Sequence, residues 1–368
     1  MSDFLTELRA EVVAAHARRR RPAVRARLAA GRSRRPALGL AVVALALVLA
    51  VLAARALSPP APARPGVVDR FDVGGTPVDA VFDGRTLWVA DGTEGRLTGI
   101  DPARRRITVR SALPGPAVAL AADPVGGRWA RTGVDASTRT ELSVLDPGSG
   151  RAAVRVATGY GSALAVAGRT VWVAHVEIPP EGLEAYDART GERLRHLDRP
   201  SIYGLATAAG DLWTLGIDGT VLRLDARTGR LRGRFPQVAA GAGTGGDGRS
   251  LAADAGGAWV ATPGTGPGDG RVIRLGRDGR VQRLPAGGGQ PLLRVVARAP
   301  DGVWTAAGDA ARGDHRLLRL DPRTGRVTAR VRLGEHRPVR LSTVGEELWV
   351  TCQDGAVLEV ASTRAESG

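Results

Sequence analysis

Short apolar runs separated by turn residues recur along most of the chain, and seven of them contain a tryptophan. Runs such as Leu87-Trp88-Val89-Ala90 and Leu348-Trp349-Val350-Thr351 are typical of buried β-strands. Successive tryptophans are 41, 43, 41, 46, 45 and 45 residues apart, at Trp88, Trp129, Trp172, Trp213, Trp259, Trp304 and Trp349. A strand-rich repeat of this length predicts a β-propeller, here with seven blades.

Each repeat contains four predicted strands. A run of small apolar residues before the tryptophan predicts the innermost strand, as at residues 163–166. After the tryptophan, a third strand ends in Asp and enters a turn such as Asp321-Pro322-Arg323-Thr324-Gly325, whose Asp, Pro and Gly favour tight turns. An alternating apolar and polar segment follows, as at residues 327–333, and predicts a half-exposed outer strand. We expect the tryptophans to pack between blades.

The seventh repeat lacks an outer strand at its own end of the sequence. Only the strand at residues 357–360 follows Trp349, whereas residues 67–73 match residues 327–333 position by position. The sequence therefore predicts an all-β, seven-bladed propeller at residues 66–362 whose last blade is closed by residues 67–73. Residues 363–368 are predicted to be a C-terminal tail.

The first 65 residues have a different pattern. Residues 1–36 predict a basic, partly helical tail, residues 37–57 a transmembrane helix with no charge before Arg55, and residues 58–65 a stiff Pro/Ala linker. By the positive-inside rule, the arginines before the helix predict a single-pass membrane protein with a cytoplasmic N-terminus and an extracytoplasmic propeller. The alternative is a secreted protein, because Ala54-Arg55-Ala56 fits a signal-peptide cleavage pattern.

The charge distribution limits the classes of binding partner, and the cysteine content limits the possible disulfides. The chain carries a formal net charge of +15, of which residues 1–65 contribute +9 and the propeller +6. This distribution argues against nucleic-acid binding by the propeller. Cys352 is the single cysteine, so no intrachain disulfide can form, and its place in an apolar strand predicts a core residue. We expect a monomeric propeller.

The Leu-Trp-Val-Ala runs and the Asp-Pro-x-Thr-Gly-Arg turns resemble those of the YVTN/NHL-type propeller superfamily, over residues 66–362. This superfamily includes streptogramin B lyase-like and quinoprotein-like repeat proteins. The motifs specify strands and hairpins, so the resemblance implies a fold and says little about function.

The resemblance raises one catalytic alternative. Streptogramin lyases use His and Glu with a magnesium ion at the propeller mouth, and the nearest approach here is His175-Val176-Glu177. A solvated loop pair is the expected role of these two residues. We predict no catalytic residue, no metal ligand and no cofactor, with a metal-dependent lyase or hydrolase of the streptogramin-lyase-like type as the alternative.

Propeller geometry also selects candidate binding residues. The loops that lead into the innermost strands and those between second and third strands share one face, where ligands usually bind near the axis. The candidates on these loops are Asp79, Tyr160, His175, Tyr203, Arg249, Arg294, His336 and Arg340. Arginine and tyrosine suit an anionic or glycan ligand. The sequence thus predicts a membrane-anchored module that binds or scaffolds a small molecule, glycan or protein.

Overall fold

A computed structural model describes residues 65–123, 127–133, 140–146, 152–158, 161–175, 182–199, 201–239, 250–263, 269–286, 291–309 and 312–361. All of them belong to the unit Pro62–Gly368. The predicted basic tail, transmembrane helix and C-terminal tail lie outside the described residues, as does all of the linker except Pro65. Among the described residues, no helix has the length and apolar content needed to span a bilayer.

The described residues form 28 strands arranged as seven four-stranded antiparallel sheets, which confirms the seven-bladed propeller. Blade 1 contains β2 (Pro77–Phe82), β3 (Leu87–Asp91), β4 (Arg96–Asp101) and β5 (Arg106–Ala112). Blade 2 contains β6 (Ala117–Asp123), β7 (Gly127–Gly133), β8 (Thr140–Leu145) and β9 (Ala152–Thr158). Blade 3 contains β10 (Gly161–Ala167), β11 (Thr170–His175), β12 (Gly182–Asp187) and β13 (Arg193–Leu197).

The remaining blades follow the same order from the innermost to the outermost strand. Blade 4 contains β14 (Ile202–Ala208), β15 (Asp211–Gly216), β16 (Val221–Asp225) and β17 (Leu231–Phe235). Blade 5 contains β18 (Leu251–Asp254), β19 (Gly257–Thr262), β20 (Arg271–Gly276) and β21 (Val281–Pro285). Blade 6 contains β22 (Leu292–Ala299), β23 (Gly302–Asp309), β24 (Asp314–Leu320) and β25 (Val327–Gly334). Blade 7 contains β26 (Pro338–Val344), β27 (Glu347–Cys352), β28 (Ala356–Ala361) and, as its outer strand, β1 (Gly66–Asp72).

Strand β1 closes the ring, as the sequence predicts, although it begins at Gly66 and ends one residue earlier than expected. Phe71 in β1 pairs with Val357 in β28, and its ring stacks on Trp349 with the centroids 5.2 Å apart. A second contact joins the last blade to the first, since the Arg105 guanidinium lies 2.6 Å from the fully buried Glu359 carboxylate in β28. The last blade is thus built from both ends of the propeller, which leaves no unpaired gap in its sheet.

The tryptophans bridge neighbouring blades, which confirms their predicted role. All seven are at most 2 % exposed. Trp88 of blade 1 packs in one apolar cluster with Leu120 of blade 2, and Trp349 of blade 7 packs with Leu87 of blade 1. Seven such clusters make up the core. Burial of this apolar surface between blades is the main stabilising term of the ring.

Polar groups at the tryptophan edge add a second connection between blades. The Trp88 indole N–H donates to Asp83 Oδ2 at 2.8 Å, and Arg128 of blade 2 binds the same carboxylate while its guanidinium lies 5.2 Å from the indole ring centroid. Burial raises the pKa of Asp83, but hydrogen bonds from the Thr86 N–H, Trp88 and Arg128 outweigh it and lower the pKa. The carboxylate therefore stays ionised and holds two blades together.

The turns between third and fourth strands form as their sequence predicts. Asp321 Oδ1 accepts hydrogen bonds from the N–H and the hydroxyl of Thr324, at 2.7 and 2.8 Å. Gly325 follows with a φ of 72°, a conformation that favours glycine. These turns satisfy their own polar groups. The recurrence of the same residues in the turns of different blades therefore reflects folding rather than ligand binding.

Candidate functional site

The face of the propeller at which the innermost strands begin is called the upper face here. The loop that leads into β26 meets the turn after β27 on this face, since the N–H of Gln353 donates to the carbonyl of Arg337 at 2.9 Å. His336 Nδ1 lies 2.6 Å from Asp354 Oδ2 across the same two loops. The same pairing occurs in blade 1, where the Gly92 N–H donates to the Thr76 carbonyl at 3.0 Å. The two sets of loops therefore share one face, as expected.

A channel of about 320 Å³ runs along the axis between the seven innermost strands. The residue that pairs with the tryptophan is alanine or serine in six of the seven blades, at Ala121, Ala165, Ala206, Ala252, Ala297 and Ser342. Small side chains fit this position because the strands converge there. Arg298 and Arg340 are the charged residues in the lining that the structure describes.

A cavity of about 420 Å³ opens on the upper face at the mouth of this channel. It is called the mouth cavity here, and its lining residues come from the starts of β2, β22 and β26 and from the turns after β19 and β27: Thr76, Pro77, Val78, Pro263, Leu292, Leu293, Val295, Arg337, Pro338, Val339 and Gln353. Most of its lining residues are apolar, but Thr76, Gln353 and Arg337 supply polar groups, so polar and apolar surface contribute about equally to the wall. This combination is typical of small-molecule sites.

Arg340 lies directly below the mouth cavity, where the lining of the channel begins. Its Nε is 3.3 Å from Asp79 Oδ1, so the ion pair joins blades 7 and 1. Asp79 Oδ2 also accepts the N–H of Leu120 in blade 2 at 2.8 Å, and its Oδ1 accepts the N–H of Ala80 at 2.9 Å. Asp79 is thus a structural acceptor for three blades that also orients the Arg340 guanidinium.

Hydrogen-bond donors exceed acceptors around the mouth. Among the described residues, the terminal nitrogens of Arg340 have no hydrogen-bond partner, and Arg337 has a single long bond of 3.4 Å to Gln353 Oε1. The nearby carboxylate of Asp91 is occupied by the backbone N–H groups of Thr76, at 2.7 Å, and of two residues in its own turn. An anion entering from the upper face would therefore meet two guanidinium groups with donors to spare.

The predicted binding residues do not all gather here. Asp79 and Arg340 lie at the channel mouth and His336 beside it, whereas Tyr203 in β14 is 7 % exposed and lines neither space. Tyr160 and Arg249 lie outside the described residues. Arg294 is part of β22, but its side chain is outside the described set. Sequence reasoning missed Arg337 and Gln353, although both stand in the loops from which the candidates were chosen.

His175 is not the solvated loop residue that the sequence suggested, because it is only 1 % exposed. Its Nε2 lies 2.9 Å from Glu184 Oε2, which also accepts the Tyr186 hydroxyl at 2.6 Å, while Arg193 lies 3.1 Å from Glu184 Oε1. Burial raises the pKa of Glu184, but the hydrogen bonds from His175 and Tyr186 outweigh it and lower the pKa to about 2. Burial and the same carboxylate raise the pKa of Tyr186.

A fully buried arginine belongs to the same region. Arg131 in β7 donates from Nε to Thr140 Oγ1 at 2.9 Å and from a terminal nitrogen to the Ala174 carbonyl of blade 3 at 3.1 Å. The corresponding positions, two residues after each tryptophan, carry alanine, leucine or threonine in the other blades. That exception is the sequence signal that could have identified Arg131. Its bond to Ala174 gives the interface of blades 2 and 3 a buried polar connection.

The structure gives His175 a different partner from the one that the metal-dependent alternative requires. His175 pairs with Glu184 rather than with Glu177, which lies outside the described residues. Within the described ranges, no group of three or more His, Cys, Asp or Glu side chains is placed to hold a metal ion. Cys352 is fully buried and unpaired, as expected of a core thiol.

Comparison with known proteins adds support for the fold. No protein-family model and no curated protein matches the sequence. The fold is similar to the solved structure of Kuenenia stuttgartiensis hydrazine synthase, with a TM-score of 0.59 and 15 % sequence identity over 80 % of this chain and 97 % of that chain. A likeness at this level of identity concerns the fold and carries no activity across.

Proposed function

We propose that this chain is a membrane-anchored, extracytoplasmic binding protein that holds an anionic ligand, an acidic glycan among the candidates, in the mouth cavity. The observation that supports the proposal is the pair Arg337 and Arg340 beside a cavity of about 420 Å³ whose neighbouring carboxylates are already hydrogen-bonded. The remaining guanidinium nitrogens can form charge-assisted hydrogen bonds to an anion while Arg340 keeps its ion pair with Asp79.

The lining also limits the shape of the ligand. Val78, Pro263, Leu292 and Val339 form apolar walls, so the anionic group should be attached to an apolar or weakly polar body that covers them. The rigid prolines and the strand ends keep this wall preformed, which lowers the entropic cost of binding. A short acidic segment of a protein partner could present the same chemistry.

Calorimetric titration of the full chain in lipid nanodiscs tests the ligand class. The probes are an oligogalacturonate, a neutral oligosaccharide of the same length, glycerol phosphate and succinate. We expect an anionic probe to bind, and Arg337→Gln or Arg340→Gln to weaken it about tenfold or more, because each removes a charge-assisted hydrogen bond. Arg330→Gln is the matched control, since Arg330 is exposed on β25 outside the mouth cavity.

Two outcomes would contradict the proposal. The first is equal affinity for neutral and anionic probes of the same size, and the second is an affinity that neither arginine substitution changes. Magnesium-dependent turnover that is lost on His175→Ala would instead support the lyase-like alternative.

The membrane topology requires its own test. The apolar segment 37–57 behind an arginine cluster supports the proposed anchor. We expect protease added to intact cells to digest a C-terminal tag while an N-terminal tag remains protected. Amino-terminal sequencing of the mature chain separates an intact anchor from signal-peptide cleavage near Ala56.

A further inference from the structure

Blade 4 contains a cavity of about 360 Å³ that is separate from the channel and the mouth cavity, with no lining residue in common. We call it the blade 4 cavity. Its walls are formed by β14 to β17 of this blade and by residues 198 and 199, which follow β13 of blade 3. It therefore opens at the boundary of two blades rather than at the axis.

Blade 4 differs from the other six blades at one of the residues that line this cavity. Three residues after the tryptophan, the other six blades carry Asp91, Thr132, His175, Thr262, Ala307 and Cys352, whereas blade 4 carries Gly216. A Cβ placed on Gly216 would approach Asp218 Oδ1 to 2.8 Å and the Thr220 carbonyl oxygen to 3.4 Å, and both residues also line the cavity. Glycine at this position thus lets the turn that contains Asp218 and Thr220 close against the end of β15, on one side of the cavity.

The wall of the blade 4 cavity is mainly apolar, and Thr214 and Thr220 each contribute a hydroxyl group. Ile202, Leu222 and Leu231 supply hydrocarbon, and Leu231 remains 48 % exposed beside the opening. Thr214 is 1 % exposed, and its hydroxyl has no hydrogen-bond partner among the described residues. The equivalent Thr305 of blade 6, by contrast, donates to the Val295 carbonyl at 2.8 Å. A buried hydroxyl without a partner is uncommon in proteins and costs stability.

The free hydrogen-bond donors at the opening favour an anion, although two aspartates and two arginines line the cavity. Asp218 is occupied within its own turn, because its two oxygens accept the N–H and the hydroxyl of Thr220 at 2.8 and 2.7 Å. Asp198 pairs with His196 Nε2 at 2.9 Å. Arg234 is exposed on β17 and has no hydrogen bond or ion pair with any residue that the structure describes. The free donors at the opening therefore belong to arginine.

We propose that the blade 4 cavity binds a small carboxylate with an apolar body, such as an arylalkyl carboxylic acid. The apolar body fills the space beside Leu222 and Leu231, and the carboxylate lies at the opening beside Arg234. A polar ligand atom next to Thr214 would supply the partner that its hydroxyl lacks. The volume is within the usual range for small-molecule sites.

Calorimetric titration of the full chain in lipid nanodiscs with 3-phenylpropionate tests this site, with empty nanodiscs titrated as the background. We expect saturable binding in the blade 4 cavity, at least tenfold stronger than that of 3-phenylpropanol, which lacks the charge, or of propionate, which lacks the ring. Arg234→Gln should weaken binding about tenfold and Thr214→Val several-fold, since each removes one polar contact. Leu222→Phe should abolish binding by filling the cavity.

Two control variants locate the ligand. Arg330→Gln should leave the affinity for 3-phenylpropionate unchanged, because Arg330 does not line the blade 4 cavity. Arg337→Gln removes an arginine of the mouth cavity, so binding that this variant retains belongs to the blade 4 cavity. The thermal unfolding midpoint of every variant, measured without ligand, confirms that the fold is retained. Absence of saturable binding, binding unaffected by Leu222→Phe, or loss of binding in Arg337→Gln but not in Arg234→Gln would overturn the proposal.

Discussion

Replacing Phe71 by alanine should weaken the closure of the ring. Phe71 is 7 % exposed and stacks on Trp349 at a centroid distance of 5.2 Å, in a cluster that also contains Leu87 of blade 1. Truncation of a buried phenylalanine usually costs about 3–5 kcal/mol, of which the aromatic contact accounts for about 0.5–1.5 kcal/mol. Because β1 is an outer strand that can relax towards solvent, we expect a value near 3 kcal/mol at the lower end of that range.

Val67→Ala provides the matched control on the same strand. Val67 is 38 % exposed, so its truncation should change the free energy of unfolding by less than about 0.5 kcal/mol. Urea denaturation followed by tryptophan fluorescence measures both variants, and the emission reports on Trp349 as well as on the other interfaces. If the blades unfold together, Phe71→Ala lowers the midpoint while the dependence on urea concentration stays the same.

The reasoning would be refuted if Phe71→Ala and Val67→Ala had the same small effect. That result would mean that β1 contributes little to the ring, and that the other interfaces hold the blades without it. A second transition at low urea, by contrast, would show that blade 7 opens before the remaining blades, as is known for repeat proteins whose units interact only with their neighbours.

Three further predictions concern buried polar groups. The pKa of Glu184 is about 2 in the folded protein, compared with an ordinary value of 4.5. Its ionised form therefore stabilises the fold by about 3 kcal/mol above pH 4.5. This stabilisation is lost as the pH falls from 4.5 to 2. The difference in unfolding free energy between wild type and Glu184→Gln should therefore shrink over that interval, and a difference independent of pH would contradict the assignment. Asp83→Ala should cost about 2–4 kcal/mol in urea denaturation, because it leaves the Trp88 indole and Arg128 without their acceptor, whereas Asp278→Ala in an exposed turn should cost under about 0.5 kcal/mol. Cys352 is fully buried and its pKa is raised by burial, so a thiol reagent should label it only after unfolding; rapid labelling of the native protein would show that blade 7 opens readily.

The repeat pattern was sufficient for the architecture because each blade follows local rules. A tryptophan strand, a small innermost strand and an Asp-Thr-Gly turn are readable within about 40 residues, and their sevenfold recurrence fixes the number of blades. The closure by β1 was also readable, since residues 67–73 supply the strand that the last repeat lacks. The bounds shifted by one residue because strand ends depend on pairing with β28.

The candidate site was only partly readable. The rule about loops on the upper face selected Asp79 and Arg340, which form an ion pair at the channel mouth, but it could not show that Asp79 is also occupied by two backbone N–H groups while Arg337 is nearly free. Nor could it show that His175 is buried against Glu184, because the register of β11 against β12 decides which side chains face each other.

The sequence alone determined the seven blades, the tryptophan interfaces and the way the ring closes, because these depend on local periodicity and on a repeat that aligns with itself. Only the tertiary structure decided which guanidinium groups keep free donors at the mouth, and that blade 4 contains a cavity beside Thr214 and Arg234. Those features arise from contacts between residues on different strands and blades, whose distances no spacing along the chain specifies.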